Sequence, residues 1–269
     1  MTDSSPSFGT DKMLAHKADG VGTMTFNNPE KRNAVSFEMW KASEAILADF
    51  ATDSSVRVVM VTGAGEKAFV SGADISKFGD ERAEAEAVAR YNAQTEAIYA
   101  GLHGFPKPTI AKIRGFCIGG GLGLAASCDI RIASEESRFS LPAARLGLGY
   151  GFNPVKRLAE VVGVPFAKEI FFTARQFTSA EAAGMGLVNR VMPADELDAY
   201  VADYAATIAG NAPLTVATAK YVFGELGKNP ADRDLEGCGA RVRQCFASRD
   251  YGEGRLAFME KRKPVFVGK

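Results

Sequence analysis

Cysteine, histidine and excess charge are all scarce in this 269-residue chain, and each scarcity argues against a class of chemistry. The four cysteines, Cys117, Cys128, Cys238 and Cys245, form neither a C-x-x-C pair nor a dense framework, which argues against a zinc site or a disulfide scaffold. Small buried hydrophobes with reduced thiols are expected. His16 falls in a predicted strand and His103 at a predicted helix end; neither has a ligand pattern nearby, so no metal is expected. Lys+Arg and Asp+Glu both number 32, which gives no electrostatic case for nucleic acid or an anionic membrane as partner. No apolar run approaches the length of a membrane span. The opening MTDSSPSFGT has neither the basic start and apolar run of a secretory signal nor an Arg-rich transit pattern. A cytoplasmic protein with a flexible 1–9 segment is the expectation.

What is present suits a sizeable core, since 46% of residues are hydrophobic and the length allows one or two domains. Met13–Lys17 and Val21–Phe26 read as strands joined at Asp19-Gly20, a hairpin signal. Ser36 can cap a helix carrying Met39, Ile46, Leu47 and Phe50 at helical spacing. Arg57–Thr62 is an apolar run typical of a buried strand, and Ala68–Val70 a short second one. A helix is predicted from about Glu81 to Leu102, then a strand over Thr109–Arg114. A Gly-rich turn over 115–121, a helix over Leu122–Ser127 and a strand over Ile130–Ala133 follow. This alternation predicts an α/β fold with mostly parallel strands at 10–195. Beyond it, at 196–269, helices dominate, and Thr178 with Glu181 forms a capping-box signal just before that change.

The Gly119-Gly120-Gly121 run follows a strand and opens a helix, where backbone N–H groups are exposed and a ligand can approach the main chain. The Lys-Ser/Thr ending of a phosphate loop is absent, and the spacing is not G-x-G-x-x-G. Ser71-Gly72-Ala73 also follows a strand and can present a second N–H. Two such donors on one point would make an oxyanion hole. A tight turn with structural duties alone fits the same residues.

Taken with NPEKRNA at 28–34, GAGEKAFVSGADI at 63–75 and GFCIGGGLGLAASCDI at 115–130, these segments resemble the crotonase (enoyl-CoA hydratase/isomerase) superfamily. The Thr178–Val191 segment and the EKRKP ending extend the resemblance over nearly the whole chain. It implies a spiral of β-β-α units, a helical C-terminal trimerisation region, and a homotrimer or a hexamer built from two trimers. It further implies an acyl-CoA thioester substrate with no cofactor beyond that coenzyme A, and an oxyanion hole from the N–H groups of Ala73 and Gly120. Lys31, Arg32, Ala34, Ser71, Asp74 and Ile75 match the family's CoA-contact region. Lys261 and Lys263 would meet the nucleotide phosphates of a neighbouring subunit.

The same comparison places Gly123 and Ala143 where hydratases of the family keep the two glutamates that activate water, and Gly151 where related enzymes keep an aspartate. Gly and Ala can neither take a proton from water nor protonate the α-carbon. The resemblance puts Tyr150 where methylmalonyl-CoA decarboxylases keep a tyrosine, and Arg145 is a candidate for an acyl carboxylate. Three outcomes stay open: hydratase/isomerase-type chemistry, decarboxylation of a malonyl-type thioester, and acyl-CoA binding without turnover. Asp80 and Glu81 are assigned to a helix start.

Overall fold

The computed structural model describes residues 8–74 and 85–269. Asp19 and Gly20 both adopt positive φ (50° and 81°), the backbone a tight two-residue hairpin needs. They join β1 (Met13–Ala18) to β2 (Val21–Phe26) as an antiparallel pair. The Ser36 Oγ accepts the Met39 N–H and starts α1 (Phe37–Thr52).

From there the chain repeats one step. β3 (Val58–Gly63) enters one sheet and β4 (Ala68–Val70) a second; α2 (Ala85–His103) follows. β5 (Thr109–Ile113) and β6 (Phe116–Ile118) repeat the division and lead to α3 (Gly120–Ser127). β7 (Ile130–Ser134) and β8 (Arg138–Ser140) do so again before α4 (Phe152–Thr173). β9 (Phe177–Thr178), α5 (Ser179–Gly184) and β10 (Arg190–Met192) complete the sheets. The larger sheet runs β1-β2-β3-β5-β7-β10, parallel from β2 onward, and the smaller runs β4-β6-β8-β9. This is the expected spiral of β-β-α units in an α/β fold.

Period-two alternation sorts the side chains of the larger sheet. Val59 and Val61 face the main core with Phe26, Trp40 and Phe69. Val58, Ile110 and Ile132 point to the opposite face. There α6 (Leu197–Gly210) covers them with Leu197, Val201 and Ala205. Each such buried aliphatic side chain contributes about 1.5–3 kcal/mol. The expected helical region follows as α7 (Pro213–Leu226), α8 (Leu235–Ala247) and α9 (Arg249–Glu260).

Three readings of the sequence shift. The Gly-rich turn predicted over 115–121 contains strand β6, and the helix begins at Gly120 rather than Leu122. β8 and β9 have no counterpart in the prediction. The start of the helix predicted from Glu81, with Asp80, lies outside the described residues. The capping box forms: Thr178 accepts from Glu181 N–H while the Glu181 carboxylate accepts from Thr178 N–H at 2.8 Å. Among the described residues no helix is long and apolar enough to cross a membrane.

Candidate active site at two adjoining glycine turns

Two turns meet at the edge of the smaller sheet. The first leaves β4 through Gly72 (φ 101°) and forms a parallel bridge between Ala73 and Val35. Val35 N–H donates to Gly72 C=O at 2.9 Å, and Asp74 N–H donates to Val35 C=O at 3.0 Å. A bridge of this pattern uses the Gly72 C=O and the Asp74 N–H on either side of Ala73 and leaves the Ala73 N–H pointing away.

The second turn leaves β6 through Gly119 (φ 56°), whose N–H donates to Ser140 C=O at 2.8 Å, and enters α3 at Gly120. The first N–H groups of a helix have no partner within it. Gly121 packs so closely on β4 that a Cβ there would collide with the Val70 carbonyl. A Cβ on Gly72 would lie 3.5 Å from Gly120 N and 3.2 Å from Ile118 O, so the two turns touch. Neither Ala73 N–H nor Gly120 N–H has an acceptor among the described residues.

The loop before α1 gathers most residues expected to contact coenzyme A. Lys31 Nζ pairs with the buried Asp74 carboxylate at 2.9 Å, and Ser71 Oγ donates to Lys31 C=O at 3.4 Å. The Arg32 guanidinium lies 5.1 Å from the Phe116 ring centroid, and Ala34 is buried beneath. Asn33, a residue the motif reading passed over, holds this loop. Fully buried at φ 55°, it donates to Ala64 C=O (2.9 Å) and Ala68 C=O (2.7 Å) and accepts from Asn28 N–H (2.9 Å). Ile75 lies outside the described residues. Lys261 and Lys263 are exposed beyond α9, with no hydrogen bond or ion pair to this loop among the described residues.

A small cavity of about 20 Å³, room for a single water, opens beside the second turn. Gly119, Gly123, Tyr99, Tyr150, Arg157 and Phe171 are among its lining residues. Tyr150 stacks edge-on against Phe171 at 5.2 Å and is 39% exposed. Arg157 is buried, pairs with Glu96, and lies 5.9 Å from the Tyr99 ring centroid. Arg145 ends an exposed single turn over Pro142–Arg145, whose Ala143 is buried. Among the described residues nothing approaches within 4 Å of a Cβ built on Gly151.

His16 and His103 are both exposed, and no group of three or more His, Cys, Asp or Glu could hold a metal among the described residues. Burial pushes the Cys128 thiol up to about 12 and Cys117 further still, which makes both poor nucleophiles.

Comparison with known proteins identifies the fold that carries this site. The enoyl-CoA hydratase/isomerase family profile matches residues 16–269. A short-chain-enoyl-CoA hydratase of Clostridium acetobutylicum is 35% identical over 93% of this chain and 95% of its own length. A crotonyl-CoA hydratase of Syntrophomonas wolfei is 31% identical over 96% and 99%. The crystal structure of an enoyl-CoA hydratase/carnithine racemase from Magnetospirillum magneticum superposes with a TM-score of 0.90 at 34% identity, covering 97% of each chain. The chain belongs to the enoyl-CoA hydratase/isomerase family.

Proposed function

We propose that the protein is an acyl-CoA thioester enzyme that stabilises a thioester enolate with the N–H groups of Ala73 and Gly120. The observation that carries this reading is the pair of N–H groups, on touching turns, that have no acceptor among the described residues. Backbone donors aimed at one point stabilise negative charge as it develops on a thioester oxygen, and cost no reorganisation during the reaction. In this reading the Lys31–Ala34 loop with Ser71 and Asp74 receives the coenzyme, and no other cofactor takes part. Ile75, Lys261 and Lys263 extend the coenzyme contact, the two lysines from a neighbouring subunit.

Ordinary hydration lacks its proton-transfer groups, because Gly123 and Ala143 stand where the family's glutamates are expected. Decarboxylation of a malonyl-type thioester is the second reading, and the place of Tyr150 on the cavity beside Gly119 and Gly123 favours it. The carbon–carbon bond to the carboxylate breaks, CO2 leaves, and its electron pair becomes the enolate held by the two N–H groups. Tyr150 then supplies the proton to the α-carbon. Arg145 is the candidate to meet the carboxylate before it departs.

Purified protein is tested in parallel for crotonyl-CoA hydration by absorbance, for methylmalonyl-CoA decarboxylation by CO2 release, and for acyl-CoA binding by calorimetry. CO2 release that falls at least tenfold in Tyr150→Phe supports the second reading; unchanged release rejects Tyr150 as donor. Binding without turnover of any thioester identifies a non-catalytic acyl-CoA-binding protein. Failure to bind acyl-CoA rejects the proposal altogether.

A further inference from the structure

One face of α2 reaches both turns. Tyr99 Oη donates to Gly120 C=O at 2.7 Å. Two turns earlier on the same helix, Tyr91 Oη donates to Val35 C=O at 3.4 Å. That carbonyl is the one that accepts Asp74 N–H and so fixes the bridge carrying Ala73. Trp40 of α1 stands between the two tyrosines. Its Nε1–H donates to Tyr91 Oη at 3.0 Å, and its ring meets the Tyr99 ring edge-on at 5.7 Å. All three side chains are buried, Trp40 to 1% exposure, so water does not compete for these bonds.

We infer that Tyr99, together with Tyr91 and Trp40, is a positioning residue that sets the separation and aim of the two N–H donors. The inference rests on the enolate-site reading of Ala73 and Gly120. Gly119, Gly120 and Gly72 have no side chains to wedge the turns apart, and their backbones are intrinsically free to rotate. A hydroxyl on the Gly120 carbonyl removes that freedom on one side, and a hydroxyl on the Val35 carbonyl removes it on the other. Because both hydroxyls come from one helix, the turns move together. Burial also pushes the Tyr99 phenol well above the usual tyrosine range, so it is a protonated donor at neutral pH. Its proton is committed to Gly120, which separates this role from that of a proton donor to substrate.

The probe is the para-dimethylamino-cinnamoyl thioester of coenzyme A, whose absorption moves to longer wavelength as its carbonyl is polarised. Intact protein binding this thioester is expected to give a red shift. Tyr99→Phe is expected to bind with Kd changed less than about threefold while losing roughly half of the shift, since one donor of the pair is misaimed. On any thioester the wild type turns over, kcat falls about tenfold or more with KM little changed. Tyr91→Phe provides an independent route to the same result through the Ala73 side, with far-UV circular dichroism confirming the fold of each variant. A full wild-type shift in either folded variant overturns the inference. A wild-type protein that binds the thioester with no shift overturns instead the enolate-site reading, and the inference with it.

Discussion

The ring of Tyr99 stands 3.0 Å from the point where a Cβ on Gly123 would begin. This spacing is tighter than van der Waals contact allows, so position 123 and the ring share one volume. Gly123→Ala therefore sets two effects of similar size against each other. Alanine in a helix interior is favoured over glycine by about 1 kcal/mol. Overpacking a filled site costs about 1–3 kcal/mol. Denaturant unfolding is expected to find Gly123→Ala neutral to destabilising in the wild-type background. In a Tyr99→Ala background the same substitution becomes stabilising by about 1 kcal/mol. Equal effects in both backgrounds would show that the ring yields freely and does not occupy the site.

Asn33 makes a second prediction, about the loop assigned to coenzyme A. Its amide is buried, and its three bonds reach Ala64, Ala68 and Asn28. Asn33→Ala leaves two carbonyls and an N–H short of partners, each at about 1–3 kcal/mol. It also places a residue with no polar side chain at positive φ. A loss of several kcal/mol is expected in urea unfolding, with weaker acyl-CoA binding by calorimetry where the fold survives. Asn33→Asp keeps the acceptor for Asn28 N–H but sets a buried carboxylate oxygen against the Ala64 and Ala68 carbonyls, so it should be at least as destabilising as alanine at neutral pH.

How much of this was legible in sequence depends on how local each feature is. The Asp19-Gly20 turn, the Ser36 cap and the Thr178–Glu181 box are settled within a few residues, and each forms as read. The short strands β6, β8 and β9 are different. Phe116–Ile118 sits among glycines, and Phe177–Thr178 is two residues long, so neither displays a period; the small sheet exists because the spiral brings distant segments together. The glycine turns of the site announced themselves by composition. Tyr91 and Tyr99 did not, because their partners are backbone carbonyls on other elements, reachable only once α2 is docked. Their spacing with Ile98 and Leu102 marks a buried helix face, which is the one signal the sequence offered.

The capping box carries a pH-dependent contribution to stability. The Thr178 N–H, the Arg175 guanidinium and the Thr178 hydroxyl hold the Glu181 carboxyl down to about 2. An unfolded glutamate titrates near about 4.3. A carboxyl whose pKa is lower in the folded state stabilises fully above the unfolded value and loses that contribution as pH falls toward the folded one. The difference in melting temperature between wild type and Glu181→Gln is therefore expected to be constant at neutral pH and to narrow below pH about 4. A difference that widens with acid would show that the carboxylate is not the group being stabilised.

The apolar surface of the C-terminal helices carries the last prediction. Phe258 is 87% exposed, Met259 77% and Phe223 70%, and a cavity of about 740 Å³ opens beside Phe258 and Phe246. Side chains of this size gain about 1.5–3 kcal/mol each when buried, so leaving so many in water is costly for a lone chain. Patches like this mark contact surfaces. We propose that further copies of this chain cover it, in the homotrimer or two-trimer hexamer that the family resemblance implies. Light scattering coupled to size exclusion is expected to return three or six times the 28.6 kDa chain mass. Phe258→Glu would place a charge in the buried contact and shift the protein toward monomer. Half-buried Cys245, on the same cavity, reports independently: iodoacetamide should label it faster in Phe258→Glu than in wild type. A wild-type monomer at micromolar concentration, with Cys245 labelled equally fast in both, would reject this surface as the assembly contact.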